Sequence, residues 1–363
     1  MTNKEAIVAL NMVNEIGSAR LAKLLKFFAT AQEILRAPEH RLIASGLNEK
    51  TAAKIRAIKN QDVEREFNLA KRLGLNILIQ DDPEYPQILK QISSPPLALY
   101  VKGEIIEQDE SALAIVGSRL ASFSGLSLAE KFAADLAVRG ITIISGLARG
   151  VDTAAHQGAL KVNGRTIAVM GSGFNQLYPV ENKKVAEEIS ENGAVISEFC
   201  LDEKPLNYNF PRRNRIVSGL SRGVVVVEAA QNSGALITAD FALEQGRDVF
   251  ALPGKIDARN SAGTNQLIKQ GAKLVTCVED ILDEYNFKAS AHPAVKNRIK
   301  NAIDANLNQG ESALYDLISN QPVSLDEIAE GLNLDILQIF PMLLKLQVKK
   351  LIKPIAGKQY IRN

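Results

Sequence analysis

Cysteine and histidine are scarce in this sequence, and their scarcity removes whole classes of chemistry. The two cysteines, Cys200 and Cys277, lie far apart in the chain, so neither a disulfide framework nor a thiolate metal site is expected. The three histidines, His40, His156 and His292, are isolated and match no zinc spacing. No apolar run reaches the ~18 residues of a membrane span. The N-terminus, Met1-Thr2-Asn3-Lys4-Glu5, has neither a basic n-region nor a cleavage pattern, and the expectation is a cytoplasmic protein without membrane insertion. Two nucleotide signatures are missing as well. No Gly-x-x-x-x-Gly-Lys-Ser/Thr occurs, and no Gly-x-Gly-x-x-Gly follows the first central strand, where Gly117 and Gly125 are too widely spaced. Neither ATP hydrolysis nor dinucleotide redox chemistry is indicated, and no cofactor is expected.

A strong excess of charge of one sign is also absent: the net charge is +2 over 363 residues. Residues 1–72 carry 13 Lys/Arg against 8 Asp/Glu, residues 73–287 carry 20 against 26, and residues 288–363 carry 10 against 7. The middle is acidic overall, so a basic coat cannot serve a polyanion there. Any such function must come from cations concentrated at particular loops.

What is present is a change of period along the chain. Residues 1–72 show apolar spacings of three and four, broken around Gly17, Pro38 and Gly46, and read as a small helical module. Its turns Glu15–Arg20 and Ser45–Lys50 have a weak likeness to helix-hairpin-helix turns. Residues 73–287 alternate short apolar strands with helices. Strands are expected at Ala112–Val116, Ile141–Ser145, Thr166–Met170, Ala194–Ser197, Gly223–Val227, Asp248–Leu252 and Lys273–Val275. That pattern predicts a doubly wound, Rossmann-like α/β parallel sheet, extended by one or two irregular strands from the proline-punctuated stretch before it. Residues 288–303 read as a linker. Residues 304–363 give three short helices and a hairpin turning at Ala356-Gly357, which is a winged helix; Ser324 and Glu327 are placed as a capping box. Its third helix is nearly all apolar up to Lys345, which favours an interaction role over base reading.

In such a sheet ligands bind at the carboxyl ends of the strands, and the loops there carry the chemistry. The run Phe210-Pro211-Arg212-Arg213-Asn214-Arg215 puts three arginines and an asparagine on the first turns of a helix, where amides and the macrodipole already favour phosphate. Neighbouring loops offer Gly117, Ser118 and Arg119, then Ser145, Gly146 and Arg149, then Gly171 and Gly173, then Lys183 and Lys184. Further loops are Ser233–Asp240 and Pro253–Asp257. The arginines and Lys183 are expected to hold successive phosphates of one strand, with the amides of Gly117, Gly146 and Gly171 completing the pocket. Phe174, Tyr178 and Phe210 are candidates either for stacking bases or for the core. No nucleophile, base and orienting group assemble from these residues.

These same motifs, in this order over roughly residues 75–285, resemble those of the bacterial DNA-processing protein A family, also called Smf. The resemblance implies a single-stranded DNA-binding protein of natural transformation that acts as a homodimer, protects incoming strands and loads the RecA recombinase onto them. Arg119 and Lys183 match family positions associated with DNA contact, with Lys184 taking the second place if the loop shifts by one. The apolar end from Leu267-Ile268 through Val275 to Ile281-Leu282 is the candidate dimer surface. The alternative is a Rossmann-like nucleotide-processing enzyme of the phosphoribohydrolase type. Its Pro-Gly-Gly-x-Gly-Thr-x-x-Glu loop compares with Asn232–Thr238, which lacks the double glycine and the glutamate, leaving Glu228 as a lone carboxylate.

Overall fold

The computed structural model describes residues 1–285, 309–318, 323–332, 334–349, 351–355 and 359–362. The expected linker and the turn at Ala356-Gly357 lie outside them. The chain divides into two compact units, Met1–His292 and Pro293–Asn363.

The first unit is built on a nine-stranded sheet. Its strands are β1 (Asn76–Ile79), β2 (Ala98–Gly103), β3 (Leu113–Val116), β4 (Ile143–Ser145), β5 (Thr166–Val169), β6 (Ala194–Ser197), β7 (Gly223–Val226), β8 (Asp248–Ala251) and β9 (Lys273–Leu274). The spatial order is β1-β2-β6-β5-β4-β3-β7-β8-β9. All pairs from β6 to β9 are parallel, and β2 is antiparallel to both of its neighbours. The seven expected strands are all present. Every residue of β3 to β7 is buried, because helices cover both faces, and this is why these strands read as unbroken apolar runs rather than alternating ones. Leu113 and Ile115 point to one face, packing with Phe132, Leu136 and Ala155 of helices Phe123–Val138 and Val151–Lys161. Ala114 and Val116 point to the other, with Ile216, Val217 and Ala239 of helices Asn209–Gly219 and Gly234–Glu244.

Six helices occupy residues 3–72, starting with Asn3–Asn11, which the Thr2/Glu5 capping box opens, and ending with Asn60–Arg72. They enclose a core of their own around Leu10, Leu24, Ile34 and Ile55. They also dock on the sheet: Val8 and Ala70 pack with Ile77, Tyr100 and Leu201. Glu66 accepts the Leu201 amide at 2.8 Å, and the Asn11 side chain donates to the Glu198 carbonyl at 3.0 Å.

The second unit has helices Gln309–Leu317, Leu325–Leu332 and Ile336–Val348 and a three-stranded sheet ordered β10 (Val323–Ser324), β12 (Gln359–Arg362), β11 (Ile352–Ile355). This is the expected winged helix. The Ser324/Glu327 box forms in both directions, at 3.2 and 2.8 Å.

The side chains nominated for a dimer surface lie mostly inside the sheet's own cores. Leu267 and Ile268 pack on one face and Val275, Ile281 and Leu282 on the other, leaving Leu274 in the edge strand β9 exposed.

Candidate nucleic-acid interface

The strand order reverses direction between β3 and β7, since β4, β5 and β6 follow β3 on one side and β8 and β9 follow β7 on the other. Loops diverge at such a switch point and leave a crevice beyond the strand ends. A cleft of about 730 Å³ lies there, lined by Gly117, Ser118 and Arg119 after β3, by Gln231–Ala235 after β7, and by Arg259 and Asn260 after β8. The chain from β6 must cross back to reach β7. Its helix Asn209–Gly219 therefore passes the switch point and adds Phe210, Arg213 and Asn214 to the wall.

The three arginines of that helix have separate fates. Arg212 and Arg215, three residues apart and so on one side of the helix, turn to the buried carboxylate of Glu198, with Arg215 bidentate at 2.7 and 2.8 Å. Arg213 is 3% exposed and donates to the carbonyls of Gly146 and Val169 at the ends of β4 and β5. Burial pulls its guanidinium down to about 10, with Asp152 opposing. The expected fork of three phosphate-binding arginines is thus replaced by one internal ion pair and one internal brace. Only Arg213 reaches the cleft. The exposed cations there are Arg119, whose guanidinium lies 5.0 Å over the ring of Phe210, and Arg259.

The loop glycines differ from expectation in the same way. The Gly146 amide donates to Asp152 at 3.1 Å, so it is not free to complete a phosphate pocket. A Cβ there would stand 2.6 Å from the Arg213 guanidinium, and one at Gly171 would stand 2.7 Å from the Phe210 ring. The space at Gly173 is filled by the carbonyls of Cys200 and Leu201. Ser145 is fully buried and donates to the Ile115 carbonyl. Gly150, with φ +80°, brings its loop against the Ser118 carbonyl, which also accepts the Val151 amide at 3.2 Å. These residues set the cleft's shape by packing loop on loop.

Behind them lies a buried polar group. Burial raises the Asp152 carboxyl, which Arg213 and the Ala148 and Gly146 amides oppose. His156 is fully buried, bonded through Nδ1 to the Thr166 hydroxyl at 2.7 Å, and burial, aided by Arg213, lowers it from 6.5 to about 3. The folded state therefore holds His156 neutral, and its contribution is full above pH 6.5 and lost as pH falls towards 3. His156→Leu is expected to flatten the acid limb of a urea-midpoint curve in that window, by up to ~1.4 kcal/mol per pH unit. An unchanged slope would contradict the neutral, buried imidazole.

A second depression, of about 450 Å³, adjoins the cleft and shares Arg119 with it. Arg149 and Asn182 line it too. Arg149 pairs with Glu181 and donates to the Tyr178 hydroxyl at 3.1 Å. Asn182 anchors the start of helix Lys183–Asn192 through bonds to Leu147 and Thr153. Lys183 and Lys184 are exposed in the first turn of that helix, the end where a cation opposes the macrodipole. Lys184 reaches Glu188 at 3.8 Å. A bound phosphate would relieve the conflict that both lysines create.

Several wall residues escape a sequence reading. Arg259 and Asn260 follow the Pro253–Asp257 loop after β8, and only the fold brings them opposite Arg119. Glu228, at the end of β7, accepts the Ser122 amide at 2.9 Å and the Ser122 hydroxyl, so it occupies the N-terminus of helix Phe123–Val138. Gly125 leaves room for this carboxylate, since a Cβ there would stand 2.6 Å from a Glu228 carboxylate oxygen and displace it.

A doubly wound sheet with a cation-rimmed cleft at its switch point, accompanied by a winged helix, is an α/β architecture suited to phosphate-bearing ligands. Comparison with known proteins narrows it. Residues 76–286 match the family model described as DNA recombination-mediator protein A, and residues 300–358 match that of the DprA winged helix domain. The chain is 40% identical over 320 residues to protein Smf of Escherichia coli, covering 88% of this chain and 85% of that one. It is 46% identical over 206 residues to DNA processing protein DprA of Streptococcus pneumoniae, covering 57% and 73%. The X-ray structure of that pneumococcal protein superposes with a TM-score of 0.68 at 37% identity, covering 79% of this chain and 99% of that one. DNA processing protein A of Helicobacter pylori, described for its single-stranded DNA binding mode, gives 0.52 at 29% identity, covering 58% and 95%. The chain belongs to the DNA recombination-mediator protein A (DprA/Smf) family of DNA-processing proteins.

Proposed function

We propose that this protein binds single-stranded DNA across the carboxyl edge of its sheet, protects incoming strands in natural transformation and loads the RecA recombinase onto them, acting as a cytoplasmic homodimer without catalysing a reaction. The observation that carries the binding is the succession of exposed cations over two adjoining depressions: Arg259 and Arg119 in the first, Arg119 and Arg149 in the second, and Lys183 beside Asn182 at its margin. A row of separated cations suits a flexible string of phosphates better than one mononucleotide. The Helicobacter pylori relative supports the choice of a single strand. Glu228 supports binding without turnover, because its carboxylate is committed to capping a helix. Among the described residues no helix is long and apolar enough to cross a membrane.

The winged helix is read as a partner-binding module. Its third helix exposes Ile336, Phe340, Leu344 and Val348 at a spacing of four, an apolar stripe ill suited to base edges. Titration of the full chain with fluorescent single- and double-stranded oligonucleotides of equal length, at several salt concentrations, tests the strand preference. Single strands are expected to bind more tightly, with no turnover of mononucleotides in parallel incubations. Equal or tighter duplex binding that persists after removal of residues 304–363 would overturn it. RecA filament assembly on single strands, with and without the protein, tests loading.

A further inference from the structure

The other end of the sheet, beneath the amino ends of β3, β4 and β5, has a hollow of its own. It is a cavity of about 240 Å³, floored by the core residues Ile144, Ile167 and Leu220 and rimmed by stretches 83–88 and 105–110. That volume lies below the ~300 Å³ at which small-molecule pockets begin, and suits a side chain better than a free ligand. The charged residues of its lining are all acidic: Glu84, Glu107, Asp109 and Glu110. Asp109 is neutralised by Arg165 at 2.7 Å and accepts from the Thr142 hydroxyl. The other three are exposed and have no ion pair among the described residues. An apolar hollow ringed by unpaired carboxylates repels nucleic acid and favours an apolar side chain carried beside a cation.

The chain displays such a group in the loop after β8. Ile256 is 97% exposed, with Lys255 before it and Arg259 three residues on, both exposed and without an ion pair among the described residues. Against these two cations the turn sets one carboxylate, Asp257. The tip is held out rather than loose. The Ala258 amide donates to the Lys255 carbonyl at 3.2 Å, and the Asn265 side chain clasps Gly254, accepting from its amide at 3.2 Å and donating to its carbonyl at 3.0 Å. Such order lowers the entropy lost when the tip enters a contact. We infer that the Ile256 tip of one copy docks in the hollow of the next, joining copies head to tail through opposite ends of their sheets. Charge complementarity selects a second copy as the occupant, since Lys255 and Arg259 meet Glu84, Glu107 and Glu110 around an isoleucine that leaves water for a floor of core hydrophobes. Tip and hollow are different surfaces, so the contact is heterologous and adds copies in a row. It is separate from the proposed homodimer and does not rest on the single-strand reading. One tip covers little area, which makes the contact a transient one.

Cysteine trapping tests the contact in the full-length protein, in a Cys277→Ser background because Cys277 is an exposed thiol. One variant carries Ile256→Cys at the tip and the other Ile106→Cys on the rim, both at exposed positions where folding is not at stake. Under mild oxidation the mixture is expected to yield a mixed disulfide-linked pair, in an amount that falls as salt is raised. Glu107→Lys with Glu110→Lys in the rim variant should abolish the pair, and Lys255→Glu with Arg259→Glu in the tip variant should restore it. Absence of the mixed pair overturns the inference. So does a pair whose yield ignores charge reversal, which would reduce the contact to random collision.

Discussion

Arg119→Ala is expected to weaken binding of single-stranded DNA of every sequence by roughly thirtyfold, or about 2 kcal/mol, the scale of one lost charge-assisted contact. The slope of log affinity against log salt should fall by about 0.7 for each phosphate released. Folding should be unaffected, because the side chain is exposed and rests on the face of Phe210. Arg119 stands where the two depressions meet, so its loss interrupts the cation row at its middle. A folded variant with unchanged affinity and salt dependence would move the phosphate site off the sheet edge.

Arg213→Ala is expected to act on stability instead, by about 3–5 kcal/mol in denaturant unfolding. The substitution strands the Gly146 and Val169 carbonyls and leaves the Asp152 carboxylate buried without its cation. The sign of the pH dependence follows. Asp152 already has its folded pKa raised by burial, and loss of Arg213 raises it further, so the cost of holding the charge falls as Asp152 protonates on acidification. The deficit relative to wild type should therefore shrink as pH falls from neutral towards the carboxylate range. A variant as stable as wild type at pH 7 would show that Arg213 is not a brace. Two arginines of one cleft thus separate experimentally: Arg119 by affinity, Arg213 by stability.

The sheet was legible because burial on both faces leaves a clear signature, short runs of two to four apolar residues bounded by turns, repeated from Leu113 to Ala251. The reversal of strand order was not, since nothing local tells β7 to pair with β3 rather than with β6. The cleft inherits that difficulty: its β3 side could be read from Gly117-Ser118-Arg119, but Arg259, Asn260 and Thr238 face it only through the topology. The arginine helix held a signal that adjacency obscured. Arg213 precedes Ile216 and Val217 by three and four residues, which places it on the apolar face, while Arg212 and Arg215 share another side. Helical spacing, applied to the charges as well as to the hydrophobes, separates the three. Glu198, the partner of two of them, ends a different strand and could not be paired by sequence.

The Glu228 cap has a consequence for how a strand moves. With the chain's own carboxylate seated at the N-terminus of helix Phe123–Val138, a backbone bound as proposed is kept off that helix end and meets the tips of long side chains whose joints rotate. Such contacts tolerate a shift of one nucleotide, since each guanidinium can follow its phosphate or trade it for the next. On the proposed binding mode, a strand gripped in that manner would slide and peel away stepwise without a concerted rupture, with neither of its ends needing to be free.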